Sequence, residues 1–128
     1  MNIIFILSIF LAIFGIVVAL IKTDDEYDKN IKMYIIIICF SLFALSLTGG
    51  FLIIRAVKEE NLQKLKEREQ IIYQIEHLTE GTDKTKLNEW ILTYNDWVIM
   101  VNTDKEIRGW FSKYKDLDMS NHIIIDLV

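Results

Sequence analysis

Two long runs without a single charge constrain this chain more than any other feature. Ile3 to Ile21 reads IIFILSIFLAIFGIVVALI, and Met33 to Ile54 reads MYIIIICFSLFALSLTGGFLII. A hydrocarbon core of about 30 Å needs about 20 helical residues to cross it. Inside lipid the backbone polar groups must be satisfied within the segment, so each run is predicted to be a transmembrane helix. The charged residues lie elsewhere: residues 55–128 hold eleven of the 14 Lys and Arg and fourteen of the 18 Asp and Glu. Two buried helices of a soluble protein would need more covering mass than the rest of the 128 residues supplies. The expected fold is therefore an all-α membrane protein. A transmembrane hairpin occupies 1–54, with spans at about 3–21 and 33–54. A cytoplasmic helical domain follows over 55–128, built as a helical hairpin with a short third helix.

Basic residues near the span ends set the expected orientation. The connecting loop has Lys22, Lys29 and Lys32, whereas the stretch after the second run has Arg55, Lys58, Lys64, Lys66 and Arg68. The rear half is thus expected in the cytoplasm. Both termini then lie inside, in a multi-pass protein of the plasma (inner) membrane. A cleaved signal peptide is the competing reading of the first run, with Val17-Val18-Ala19 as the cleavage region. The absence of a preceding Lys or Arg and the length of the run argue against it. The acidic loop Thr23-Asp24-Asp25-Glu26-Tyr27-Asp28 reads as a solvated linker.

Small residues recur at helical spacing in both runs: Ser8, Ala12, Gly15 and Ala19 in the first, Ser41, Ala44 and Thr48 in the second. Ser46 and Gly50 form a further small pair. Lipid provides no hydrophobic drive for helices to associate, so close backbone approach has to supply it. The two stripes are expected to face each other within one hairpin or to drive association between chains. Arg55, Lys58, Lys64 and Lys66 could also meet anionic head groups, an effect diluted by Glu59, Glu60 and Glu67.

From Ala56 the pattern becomes a charged helix, predicted to continue from the second span without a break, with Leu62, Leu65, Ile72, Ile75 and Leu78 near one face. Glu60 and Lys64 suit an exposed i,i+4 pair. Gly81 is expected to stop this helix and Thr82-Asp83 to cap the next. There Leu87, Trp90, Ile91, Tyr94, Trp97, Val98 and Val101 form one stripe, the expected packing or partner face. A strand at 98–101 paired with 123–125 is the alternative. Thr103-x-x-Glu106 has the form of a capping box and predicts a fresh short helix through Trp110, Phe111 and Tyr114. Trp110-Phe111 reads as core or as a membrane-interface element. The apolar HIIIDLV segment must pack on the hairpin, pair with a partner or touch the bilayer.

No catalytic constellation can be named from spacing, so neither a catalytic residue nor a cofactor or metal site is expected. His77 and His122 read as surface or packing residues. Asp116-Leu117-Asp118-Met119-Ser120-Asn121 starts like a calcium loop, but Leu127 stands where a bidentate Glu is required; Asp118 and Ser120 read better as turn residues. Cys39 has no partner for a disulfide. A net charge of −4 gives no support to nucleic-acid binding. An apolar content of 52% argues against intrinsic disorder. The expected partners are membrane lipid and either a second copy of the chain or another membrane or cytoplasmic protein.

Several stretches of the rear half carry a resemblance: Glu69-Gln70-Ile71-Ile72-Tyr73-Gln74-Ile75-Glu76, Lys86-Leu87-Asn88-Glu89-Trp90-Ile91, Tyr94-Asn95-Asp96-Trp97-Val98, Trp110-Phe111-Ser112 and Asp118-Met119-Ser120. Over roughly residues 66–128 the chain resembles small uncharacterised proteins of phages and prophages from low-GC Gram-positive bacteria. That group brings no activity or catalytic residue with it. The two spans and the long, patterned tail lead to the expectation of a membrane-anchored helical interaction protein; if the chain is phage-borne, as the resemblance implies, its expected role is modulation of the host envelope, for example exclusion of a second phage. A holin-like pore-former with two spans is the alternative.

Overall fold

The computed structural model describes residues 3–128. It contains three α-helices, α1 (Ile3–Leu20), α2 (Glu26–Glu76) and α3 (Thr85–Arg108), followed by a 3-10 turn at Gly109–Phe111. No strand occurs among the described residues, so residues 98–101 are helical rather than paired with 123–125. The chain divides into two compact units, Met1–Ile54 and Arg55–Val128. Helices α1 and α2 are long and apolar enough to cross a membrane.

In the front unit α1 packs on the first part of α2 through its smallest side chains. Ser8 and Gly15 are buried on α1, Cys39 and Gly50 on α2. A Cβ at Gly15 would lie 3.3 Å from Cys39 Cβ, and one at Gly50 would lie 3.2 Å from the Phe5 ring. Phe5 and Phe51 meet edge to face at 5.6 Å. Hydroxyls on both helices are satisfied locally: Ser8 donates to the Ile4 carbonyl, Ser41 to Ile37 and Thr48 to Ala44. Helix α2 begins earlier than the charge-free run, inside the acidic linker. Asp25 Oδ1 accepts the Tyr27 N–H at 3.4 Å, and Glu26 and Asp28 occupy the first turn, where the helix dipole favours negative charge.

In the rear unit the second part of α2 and α3 form an antiparallel pair. The core holds Ile71 from α2, the α3 residues Leu87, Ile91, Tyr94, Trp97, Val98 and Val101, and Tyr114 from beyond the helix. Helix α2 ends at Glu76, and Gly81 takes φ +92° in the turn that follows. Asp83 Oδ1 accepts the Thr85 N–H at 2.9 Å at the start of α3. That backbone donor holds the Asp83 carboxyl below its ordinary range.

The short third helix expected from Thr103 and Glu106 does not form. Helix α3 runs through both residues to Arg108, because Thr103 lies inside a continuous helix where its backbone groups already have helical partners. The helix stops at Gly109, at φ +49°, and only one 3-10 turn follows. Buried Ser112 then folds the chain back: it donates to Asp104 and accepts the Tyr114 N–H.

Candidate interaction site

The rear unit is organised around a seam on α2 that its apolar residues alone do not reveal. Val57, Asn61, Lys64, Arg68, Ile71, Ile75 and Leu78 recur at alternating spacings of four and three, and all are buried or half-buried. Its middle is polar. The expected face of Leu62, Leu65, Ile72, Ile75 and Leu78 is therefore partly rotated: Ile75 and Leu78 lie on the seam, whereas Leu62 is 52% exposed. Glu60 does not pair with Lys64. Its carboxylate accepts Trp97 Nε1–H at 2.8 Å and Tyr114 Oη–H at 3.0 Å, while Lys64 pairs with Glu67 at 2.7 Å.

His122 closes the same seam. Its Nε2 lies 2.7 Å from Asn61 Oδ1, and its Nδ1 lies 2.8 Å from Tyr94 Oη. The Asn oxygen only accepts, so Nε2 carries the proton and Nδ1 accepts from the tyrosine. The Trp97 ring stands edge-on to the imidazole at 4.9 Å. Burial pushes the His122 pKa down, the Arg68 charge pushes the same way, and Asp118 opposes them weakly. Tyr94 is raised, first by burial, with Arg68 opposing. Tyr114 is likewise raised, chiefly by burial. His122 and Tyr94 are paired with each other and Tyr114 with Glu60. His77 is exposed; it stacks on Tyr73 and donates Nδ1–H to the Tyr73 carbonyl at 2.8 Å.

Beyond His122 the chain runs extended along α3, docked by two side-chain clamps. Asn95 donates to the Ile125 carbonyl at 2.8 Å and accepts the Ile125 N–H at 2.9 Å. Asn88 does the same for Val128, at 3.3 and 2.9 Å. The spacing explains the match: three extended residues span about 10 Å, and two helical turns advance about 11 Å. Of the outcomes expected for HIIIDLV, packing on the hairpin is the one observed. Ile125 and Val128 pack on the core, while Ile123, Ile124 and Leu127 remain exposed.

The expected site residues fall out as follows. On α3, Leu87, Ile91, Tyr94, Trp97, Val98 and Val101 are buried, and Trp90 is the exposed member, with Lys86 5.5 Å above its ring. In the front unit Ser8 and Gly15 are buried and Ala12 half-buried, but Ala19 is exposed. Ser41, Ala44 and Thr48 are also exposed, so on α2 the contact within the hairpin runs through Cys39, Ser46 and Gly50 instead. At about 100° per residue the two sets lie on opposite sides of α2. Cys39 was passed over because its chemistry, rather than its small volume, drew attention. Asn61, Arg68, Glu60, Asn88 and Asn95 were missed because polar residues on a charged helix read as solvated. The unbroken four–three spacing through Asn61, Lys64 and Arg68 was the available signal. At the turn Asp116–Asn121, Asp118 Oδ1 accepts the Ser120 N–H at 2.9 Å, which lowers the Asp118 pKa. No cluster of three metal-ligating side chains stands among the described residues.

Three large apolar side chains stand out on the rear unit: Ile107, Trp110 and Phe111, 78%, 58% and 69% exposed. Lys115 lies 3.5 Å from the Trp110 ring centroid. Comparison with protein-family models, with curated proteins and with solved structures finds no match.

Proposed function

We propose that this chain is a bilayer-anchored helical interaction protein. One observation carries the reading: the two units treat apolar surface in opposite ways. The front unit leaves Phe10, Phe14, Leu45 and Phe51 exposed along its helices, a surface that lipid tolerates and water does not. The rear unit encloses its own core and uses its polar residues to assemble itself rather than to form a catalytic cleft. In this reading α1 and the first part of α2 span the plasma membrane, both termini are cytoplasmic, and the rear unit offers its outer face to a second copy or to another protein. The resemblance to phage and prophage proteins extends the proposal to a role: modulation of the host envelope, in the form of exclusion of a second phage.

Two experiments test these layers separately. A reporter fused after Val128 is expected to be active on the cytoplasmic side of membranes that retain the protein after carbonate extraction; an external reporter or an extracted protein refutes the anchor. Deleting residues 82–128 removes the rear core but leaves both apolar runs. Plating of challenging phages is expected to rise to the level on cells without the protein, and equal exclusion by the truncated chain refutes the role.

A holin-like pore is the second reading, favoured by the exposed Ser41, Ala44 and Thr48, which the hairpin leaves available for contact between chains. Prompt dye leakage on induced expression supports the pore; intact cells support the anchor.

A further inference from the structure

We propose that residues 122–128 are a strap, latched against α2 and α3 by neutral His122 and released when His122 takes up a proton, while the two helices stay paired. The inference concerns the rear unit alone and does not depend on the role proposed above.

Burial singles out the latch. After Tyr114 the one buried residue is His122, at 4% exposure; Ile125 and Val128 are half-buried, and Ile123, Ile124, Asp126 and Leu127 are exposed. The other polar tethers are the amides of Asn88 and Asn95, which bond the backbone of Val128 and Ile125 and do not titrate. The helical pair keeps its own core without the strap. Ile71 of α2 joins Leu87, Ile91, Tyr94, Trp97, Val98 and Val101 of α3, and Glu60 holds Trp97 and Tyr114. Opening of the strap can therefore be local.

The donor count around the imidazole shows what a proton does there. Neutral His122 donates Nε2–H to Asn61 Oδ1 and accepts Tyr94 Oη–H at Nδ1. Arg68 Nε, buried in the same seam, has no acceptor, so donors already outnumber acceptors. Protonation adds an N–H at Nδ1, aimed at the Tyr94 oxygen, whose own hydrogen must then turn away.

The charged groups around the site do not offset the new charge. On α2, Arg68 carries the same sign, Lys64 is paired with Glu67, and Glu60 is taken up by Trp97 and Tyr114. On α3, Tyr94 and Trp97 are neutral, and Lys105 donates to the Leu117 carbonyl. In the turn before the strap, Asp118 accepts the Ser120 N–H. Burial and the Arg68 charge push His122 below its ordinary value, and Asp118 opposes them weakly. A buried cation without a paired acid is unfavourable, and release returns it to water. Docking is thus complete above the ordinary value of 6.5 and is lost as pH falls from there towards the lowered one. Release also frees the amides of Asn88 and Asn95, so the proton changes the surface of α3 but not its helix.

Hydrogen exchange on the detergent-solubilised full chain, between about pH 7.5 and 5, tests the latch. Protection is taken relative to the intrinsic rate at each pH. Across 122–128 it is expected to fall below pH 6.5 by up to about tenfold per unit, while the segment around Val101 keeps its protection. His122→Gln is expected to abolish the fall. Arg68→Gln is expected to shrink it and Asp118→Asn to enlarge it, opposite changes that a merely structural role for either residue would not produce. A strap whose protection ignores pH overturns the proposal. So does loss at Val101 in parallel with the strap, which means global unfolding, and so does an equal fall in His122→Gln. Should His122→Gln fail to dock at pH 7.5, the two charge variants decide: an unchanged fall in both overturns the proposal.

Discussion

Replacing Asn95 with alanine separates side-chain clamping from apolar contact as the force that docks the last residues on α3. Asn95 supplies one donor and one acceptor to Ile125, at 2.8 and 2.9 Å. A neutral hydrogen bond contributes a net of about 0.5–1.5 kcal/mol, so loss of both costs about 1–3 kcal/mol. The Ile125 side chain still meets the core, so the cost falls on local docking rather than on global stability. At about 1.4 kcal/mol per tenfold, amide exchange across 122–128 is expected to accelerate about 5- to 150-fold. Hydrogen exchange with mass spectrometry on the detergent-solubilised full chain reads this directly, with the α3 segment around Val101 as the internal reference. Asn95→Asp keeps the acceptor and loses the donor, and belongs between wild type and alanine. Asn88→Ala is expected to give a smaller effect, because its bond to the Val128 oxygen is the longer one. Unchanged protection of 122–128 in both alanine variants and in their double would refute the clamp.

His122 sets the expected pH dependence. Its folded-state pKa lies below the ordinary value of 6.5, so the unfolded chain takes up a proton that the folded one resists. Stability is complete above the ordinary value and is lost as pH falls from there towards the lowered one. Thermal melts between about pH 7.5 and 5.5 are expected to show a downward slope that His122→Gln flattens; an equal slope in the variant refutes the assignment. Glu60→Ala strands the Trp97 and Tyr114 donors. It is expected to cost about 3–6 kcal/mol, with Glu60→Gln costing less, as charged acceptors contribute about 1.5–3 kcal/mol per bond; the denaturation midpoint followed by near-ultraviolet dichroism checks it. Gly15→Cys places a second thiol beside Cys39, since the new Cβ would lie 3.3 Å from Cys39 Cβ, near disulfide range. Oxidation is expected to produce a bridge within one chain, seen as a faster-migrating monomer, and a dimer band instead would refute the hairpin contact.

The apolar pattern made the helices legible. Charge-free runs, the absence of proline and the stripe from Leu87 to Val101 each depend on one chain-local rule, the match between burial and helical period. The end of α3 was not legible. Thr103 and Glu106 satisfy the local form of a capping box, but a box stabilises a helix start only where the helix has already been interrupted. In the front unit the small residues of both runs were visible, but which stripe of α2 met α1 was not. Ser41-Ala44-Thr48 and Cys39-Ser46-Gly50 both present small side chains, and only three-dimensional contact with Gly15 and Phe5 decides between them.

The polar seam follows from what a small unit must solve. A purely apolar four–three seam from Val57 to Leu78 would bury more surface, and exchanging buried polar groups for apolar ones of similar size is often neutral or stabilising. Such a seam would also fit α3 nearly as well after sliding by seven residues, because the spacing repeats. The polar groups remove that degeneracy. Glu60 finds Trp97 and Tyr114 in one register only, and Asn61 finds His122 only when Tyr94 lies on its other side. A slip would leave a carboxylate, an indole N–H and an imidazole buried without partners, each costing about 1–3 kcal/mol. The same register brings Asn88 and Asn95 under the extended segment that follows His122. Residues that resemble solvated charge in the sequence thus select one packing among several that the apolar residues would accept.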